Sequence, residues 1–97
     1  LLHTVNKSPF DRSALMSCFE TARPEDPILL FEDGVVGAME GTKFEPMVRK
    51  ALESHPIYAI RADLKLRGID KLIDGIKVCD YTCFVSLAVE HRVMAWL

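Results

Sequence analysis

The most reactive side chains in this sequence are those of Cys18, Cys79 and Cys83. Sulfur chemistry needs a thiolate that its partner can reach. Cys18 falls in the middle of an apolar stripe, with Ala14, Leu15, Thr21 and Ala22 as its one-turn neighbours. Neither a helix terminus nor a local cation lowers its pKa, so its thiol should stay at or above the ordinary value of about 8.5. Standing alone, that is the pattern of a core cysteine. Cys83 falls on the third residue of an expected helix, where the dipole favours a thiolate, but Asp80 one turn away opposes it. Cys79 closes an apolar strand and reads as inert. An odd number of cysteines without CxxC spacing speaks against both a disulfide framework and a zinc site, and all three are expected as free thiols.

Other chemistries find less support. Glu32-Asp33 has the composition of an acid/base pair, although a helix cap beside a solvated carboxylate is the commoner meaning of such a pair before glycine. Gly34, Gly37 and Gly41 have the wrong spacing to cradle a phosphate, so neither a nucleotide enzyme nor a stand-alone flavodoxin-like ligand-binding domain is supported. His3, His55 and His91 are isolated from one another. His55 and His91 suit helix C-termini, where a histidine complements the dipole, and His3 suits a strand. No Ser/His/Asp triad can be assembled. No cofactor and no metal site is expected.

The element that must position these groups is the run Pro27-Ile28-Leu29-Leu30-Phe31-Glu32-Asp33-Gly34. Four consecutive apolar residues between proline and an acidic pair with glycine predict a short strand buried on both faces. Chemistry in open α/β sheets gathers at the carboxyl ends of the strands, which places Glu32, Asp33 and Gly34 at the expected edge. Asp33 is the expected cap of a short helical piece over Val35–Glu40, stopped by Gly41.

Around that strand the chain alternates. Leu1 to Val5 is β-prone. Ser8 as cap, Pro9 at the first helical position and Asp11 predict a helix from Pro9 to about Ala22, with Phe10, Ala14, Leu15, Cys18, Phe19 and Ala22 on one half. A helix from Glu45-Pro46 with an apolar face of Met47, Val48, Ala51 and Leu52 ends at His55-Pro56. Strands are expected over Pro56–Ile60, Ile76–Cys79 and Arg92–Trp96, and helices over Asp63–Arg67 and Tyr81–Glu90, the last capped by Asp80. Helical connections of this length imply parallel neighbours. The expected fold is therefore a single three-layer α/β/α domain over residues 1–97, with a mainly parallel sheet of about five short strands. Apolar residues occupy more of the Tyr81–Glu90 helix than one sheet face requires, so either a partner covers Tyr81, Val85 and Val89 or the domain buries the helix deeply.

Composition limits the partners. The chain has 97 residues, 49% of them hydrophobic and 27% charged. So short a chain buries only about 60% of its unfolded surface, which leaves apolar area for association. Twelve basic and fourteen acidic residues give a net charge of −2. They are interspersed without a basic stripe, so direct nucleic-acid binding is not expected. No apolar run approaches the roughly 20 residues of a membrane span and no signal peptide is evident, so the reading is cytoplasmic, with no membrane association.

Several blocks taken together resemble one family. Leu2-His3-Thr4-Val5-Asn6-Lys7-Ser8-Pro9-Phe10, Leu30-Phe31-Glu32-Asp33-Gly34, Asp63-Leu64 to Arg67-Gly68, Asp80-Tyr81 with Phe84-Val85, and Met94-Ala95-Trp96-Leu97 occur in the order found in the DsrH/TusB family. The resemblance covers essentially the whole chain. It implies a DsrE-like fold and a place as the small subunit of a DsrEFH or TusBCD heterohexamer, beside DsrE/TusD-like and DsrF/TusC-like subunits. Such complexes carry sulfur as cysteine persulfide to a downstream persulfide-accepting protein. The Asn6-to-Phe10 wording and Cys18 look closer to DsrH, which implies cytoplasmic sulfur oxidation with Cys18 as the persulfide carrier. The alternatives are a TusB-like subunit serving 2-thiolation of the tRNA wobble uridine and a purely structural subunit that carries no sulfur. The family's principal persulfide cysteine belongs to the DsrE or TusD subunit, in a segment not reproduced here, so independent turnover is not implied.

Overall fold

A computed structural model describes residues 1–97. Five strands, β1 (Leu2–Val5), β2 (Ile28–Leu30), β3 (Ile57–Ile60), β4 (Lys77–Cys79) and β5 (Val93–Trp96), alternate with helices α1 (Ala14–Thr21), α2 (Glu45–Leu52), α3 (Arg61–Leu66) and α4 (Tyr81–Glu90), and a 3-10 helix spans Glu32–Ala38 between β2 and α2. The sheet order is β4-β3-β2-β1-β5, and every adjacent pair is parallel. Every residue of β1 and β2 is buried, as expected of central strands covered above and below. In register, Leu30 lies beside Val5 on one side and Ala59 on the other. No helix is long and apolar enough to cross a membrane.

The period-two alternation of the strands divides the interior unequally. Val5, Ile28, Leu30, Ile57 and Ala59 join Ala14, Leu15 and Cys18 of α1, Val35 and Ala38 of the 3-10 helix, and Val48 and Ala51 of α2 in a cluster of 14 buried residues. On the opposite face the cluster is Leu2, Leu29 and Cys79 with Leu87, the one buried residue that α4 contributes. Helix α4 connects β4 at one sheet edge to β5 at the other, so this single helix serves a face that several helices would be needed to cover. Its outer row stays exposed, with Tyr81 at 78% and Val89 at 80%. The deeply buried alternative for this helix therefore does not hold.

Three helix starts differ from the sequence reading, the smallest difference being that α3 begins at Arg61, two residues ahead of the expected Asp63. Helix α1 begins at Ala14, not Pro9. Ser8 instead closes a separate turn, its carbonyl accepting from the N–H groups of Asp11 and Arg12 and its hydroxyl accepting from Phe10 N–H at 3.1 Å. Phe10 leaves the helical stripe to meet the Phe44 ring edge-on, at a centroid distance of 4.8 Å. The helical piece after β2 likewise starts at Glu32, ahead of the expected Val35, with Phe31 in the cap position. Asp33 is inside its first turn and is not its cap.

Gly34 is required here for lack of room. A Cβ at this position would lie inside contact distance of the Val5 carbonyl group, with the carbonyl carbon at 2.9 Å. The close approach lets Phe31 N–H donate to Val5 O at 3.1 Å and Gly34 N–H donate to Phe31 O at 2.9 Å, which fixes the exit of β2 against β1.

Candidate functional site

Because α4 covers its sheet face incompletely, an open groove of about 610 Å³ remains between it and the start of α3. Thr4, Leu29 and Ile60 come from the sheet, Phe31 from the exit of β2, and Tyr81 and Phe84 from the first turn of α4. Arg61, Asp63, Lys65 and Asp80 add two charges of each sign. The groove adjoins the carboxyl ends of β2 and β3, the edge at which sites in such sheets gather. Its lining includes neither cysteine nor histidine. It is suited to holding an apolar or aromatic group, and it presents no thiol to a bound molecule.

Glu32 and Asp33 do lie at that edge, but as parts of a structural network. Arg67 directs Nε and Nη2 at the same oxygen of Asp33, at 3.0 and 2.8 Å, and Nη1 donates to the Asp63 carbonyl at 3.2 Å. Asp63 in turn accepts from the Glu32 N–H at 2.8 Å. The Leu30-to-Gly34 and Asp63-to-Gly68 blocks are thus tied together directly. Glu32 has a φ of 48°, a left-handed conformation uncommon outside glycine and asparagine, and the bond from its N–H to Asp63 helps to hold it. With Asp33 committed to Arg67, the two carboxylates do not form an acid/base pair.

Cys18 faces the larger core and has no exposed surface. Burial, reinforced by the negative charge of Asp26, pushes its thiol up to about 12. In this conformation Cys18 is neither reachable nor ionised at neutral pH.

Cys79 and Cys83 are not free thiols; they are joined by a disulfide. Cys79 ends β4 and Cys83 is the third residue of α4, so the chain reverses at Asp80 between them and brings their Cα atoms to 5.4 Å, well within bridging range. Counting cysteines and looking for CxxC missed this, because the pairing depends on a strand-to-helix junction. Asp80 caps α4 as expected, accepting from the Cys83 N–H at 2.9 Å.

A buried polar cluster had no sequence signal. His3, 1% exposed, places Nε2 2.9 Å from Asp26 Oδ2 and accepts at Nδ1 from the indole N–H of Trp96 at 3.0 Å. Asp26 also accepts from the Arg23 N–H at 3.1 Å. Burial raises the Asp26 pKa, but the hydrogen bonds from His3 and from the Arg23 backbone outweigh it and leave the carboxyl below its ordinary value. His55 is buried as well and donates from Nδ1 to the Asp26 carbonyl at 3.0 Å, so it acts as a tertiary tether where a helix-dipole partner was expected. Only His91 sits at a helix C-cap.

A five-stranded parallel sheet in this order, with one face thinly covered, defines a class of small α/β domains, and its architecture recurs in solved structures. The ychN protein from E. coli superposes with a TM-score of 0.76 at 17% identity, covering 97% of each chain. A protein of unknown function from Methanobacterium thermoautotrophicum gives 0.73 at 13% identity, over 97% of this chain and 96% of the other. These likenesses show that the same α/β fold is shared. The model of the DsrH like protein family matches residues 7–94. Protein TusB from Shigella flexneri and Protein TusB from Escherichia coli K12 are each 36% identical over 100 residues, covering 99% of this chain and all of the relative. The chain belongs to the DsrH family.

Proposed function

We propose that this chain is a sulfur-relay subunit of the TusB kind, working in the cytoplasm as a single DsrE-like domain over residues 1–97. The full-length match to proteins named TusB is the observation that carries this reading. It favours sulfur transfer towards 2-thiolation of the tRNA wobble uridine over the sulfur-oxidation role that the Asn6-to-Phe10 wording and Cys18 had favoured. The subunit packs against DsrE/TusD-like and DsrF/TusC-like chains in a heterohexamer and helps deliver persulfide sulfur to a downstream acceptor. The exposed row of Tyr81, Val85 and Val89 on α4 supports association, since contiguous apolar surface on a small soluble chain marks interaction sites.

Within that assembly the chain acts chiefly as a packing subunit. Its one free thiol, Cys18, is closed off in the core, and its groove has no sulfur. A second reading keeps Cys18 as a persulfide carrier, loaded in the complex when contacts with partner subunits open α1. Gene deletion with complementation tests the pathway: wobble 2-thiouridine, measured by nucleoside mass spectrometry, should fall in the deletion strain and return with the wild-type gene. Unchanged thiolation would exclude the pathway. Return of thiolation with Cys18→Ala would support the packing role, whereas one added sulfur on Cys18 in the complex after treatment with a persulfide donor would establish the carrier reading.

A further inference from the structure

Cys79 and Cys83 differ in access in a way that gives each sulfur a separate role. Cys79 is fully buried at the end of edge strand β4, in the smaller buried cluster that also holds Leu87 of α4. Cys83 is only partly buried, in the first turn of α4, beside the Tyr81 and Phe84 wall of the open groove. The hydrogen bond from the Cys83 N–H to Asp80 Oδ1, at 2.9 Å, is independent of the bridge and holds the turn from β4 into α4. The junction therefore keeps the two sulfurs close in either redox state.

We propose that this pair is a dithiol–disulfide redox site that exchanges with low-molecular-weight thiols and disulfides, Cys83 being the sulfur attacked from solvent and Cys79 the resolving sulfur. In the reductive direction a thiolate RS⁻ bonds to Cys83 Sγ, the bond between the two cysteine sulfurs breaks, and Cys79 leaves as a thiolate that takes up a proton. A second thiol attacks the R-group sulfur of the mixed disulfide, releasing the Cys83 thiol. The balance is one protein disulfide and two RSH giving the protein dithiol and one RSSR. Oxidation reverses these steps: Cys83 attacks RSSR and Cys79 then displaces RS⁻ from Cys83. The order follows from access, because exchange requires the incoming sulfur to approach along the bond it breaks, and of the two residues Cys79 is fully buried while Cys83 is only partly so. This site is separate from the sulfur-relay reading and from Cys18.

The test uses the full chain equilibrated in graded ratios of reduced to oxidised glutathione, quenched in acid, alkylated and mapped by peptide mass spectrometry. Cys79 and Cys83 should lose and regain the alkyl label together, with a single two-electron dependence on the ratio, while Cys18 takes no part. In Cys79→Ser, Cys83 should accumulate the glutathione mixed disulfide, and in Cys83→Ser, Cys79 should stay unmodified. No bridged peptide under oxidising ratios, or a Cys79 in Cys83→Ser that takes glutathione as readily as Cys83 does in Cys79→Ser, would overturn the assignment. Should either variant lose its helical circular dichroism, the reduced wild-type chain decides: under limiting alkylating reagent Cys83 should be labelled before Cys79, and the reverse order would overturn it.

Discussion

Trp96 donates its indole N–H to Nδ1 of His3, a hydrogen bond between residues 93 positions apart that closes β5 onto β1. Indole nitrogen is only a donor, so His3 Nδ1 must be the acceptor, and the ring carries its proton on Nε2, directed at Asp26.

Removing His3 strands both of its partners. His3→Leu should destabilise the fold by about 2 kcal/mol, the cost of leaving a charged acceptor and an indole donor without their shared partner. Trp96→Phe removes only the donor and should cost about 1 kcal/mol. Urea titrations of the two variants and of the double variant should show non-additive losses. Strict additivity would mean that the bond contributes nothing.

The lowered pKa of Asp26 fixes the sign of an acid effect. A carboxyl whose folded-state pKa lies below its unfolded value of 3.8 adds stability that is complete above that value and disappears as pH falls through the folded value. The stability difference between wild type and Asp26→Asn should therefore be constant near neutrality and shrink below about pH 4. A difference that grew on acidification would contradict the hydrogen-bond assignment.

Gly34 and Gly41 separate crowding from backbone conformation. Gly34→Ala drives a Cβ into the Val5 carbonyl group and should cost about 3 kcal/mol or prevent folding. Gly41 has open space around it but a φ of 89°, so Gly41→Ala should cost about 1 kcal/mol. Thermal melts of the pair decide this, and equal costs would show that the β2 exit relaxes easily.

Arg67 and Asp33 form a partly exposed ion pair, and solvent screening limits its contribution. A double-mutant cycle with Arg67→Met and Asp33→Asn should give a coupling of about 0.5 to 1 kcal/mol that declines with added salt. A coupling insensitive to salt would indicate that Arg67 acts through its hydrogen bond to the Asp63 carbonyl instead.

What the sequence revealed depended on whether a signal was local. The apolar run Ile28-Leu29-Leu30 and the spacing of Val48 and Ala51 were readable because each element announces its buried face within a few residues. The mid-stripe position of Cys18 correctly indicated a core residue. The start of α1 was misread because Ser8 and Pro9 carry a helix-start pattern, while Phe10 is drawn away by Phe44, 34 positions further along. At the candidate site, the carboxyl edge of β2 was legible but the occupation of Asp33 by Arg67 was not, since nothing near Asp33 in sequence names a partner 34 residues distant. The cluster of His3, Asp26 and Trp96 gave no warning for the same reason.

The sheet order carries a kinetic consequence. β1 is made before the other four strands, yet one of its two neighbours, β5, is made after all of them. Until Val93–Trp96 leaves the ribosome, the β5-facing edge of β1 has no partner in its own chain, and His3 lacks its indole donor. Parallel pairing over so long a separation cannot form before then, and an unpaired strand edge left open in the interval is a surface on which other chains can associate.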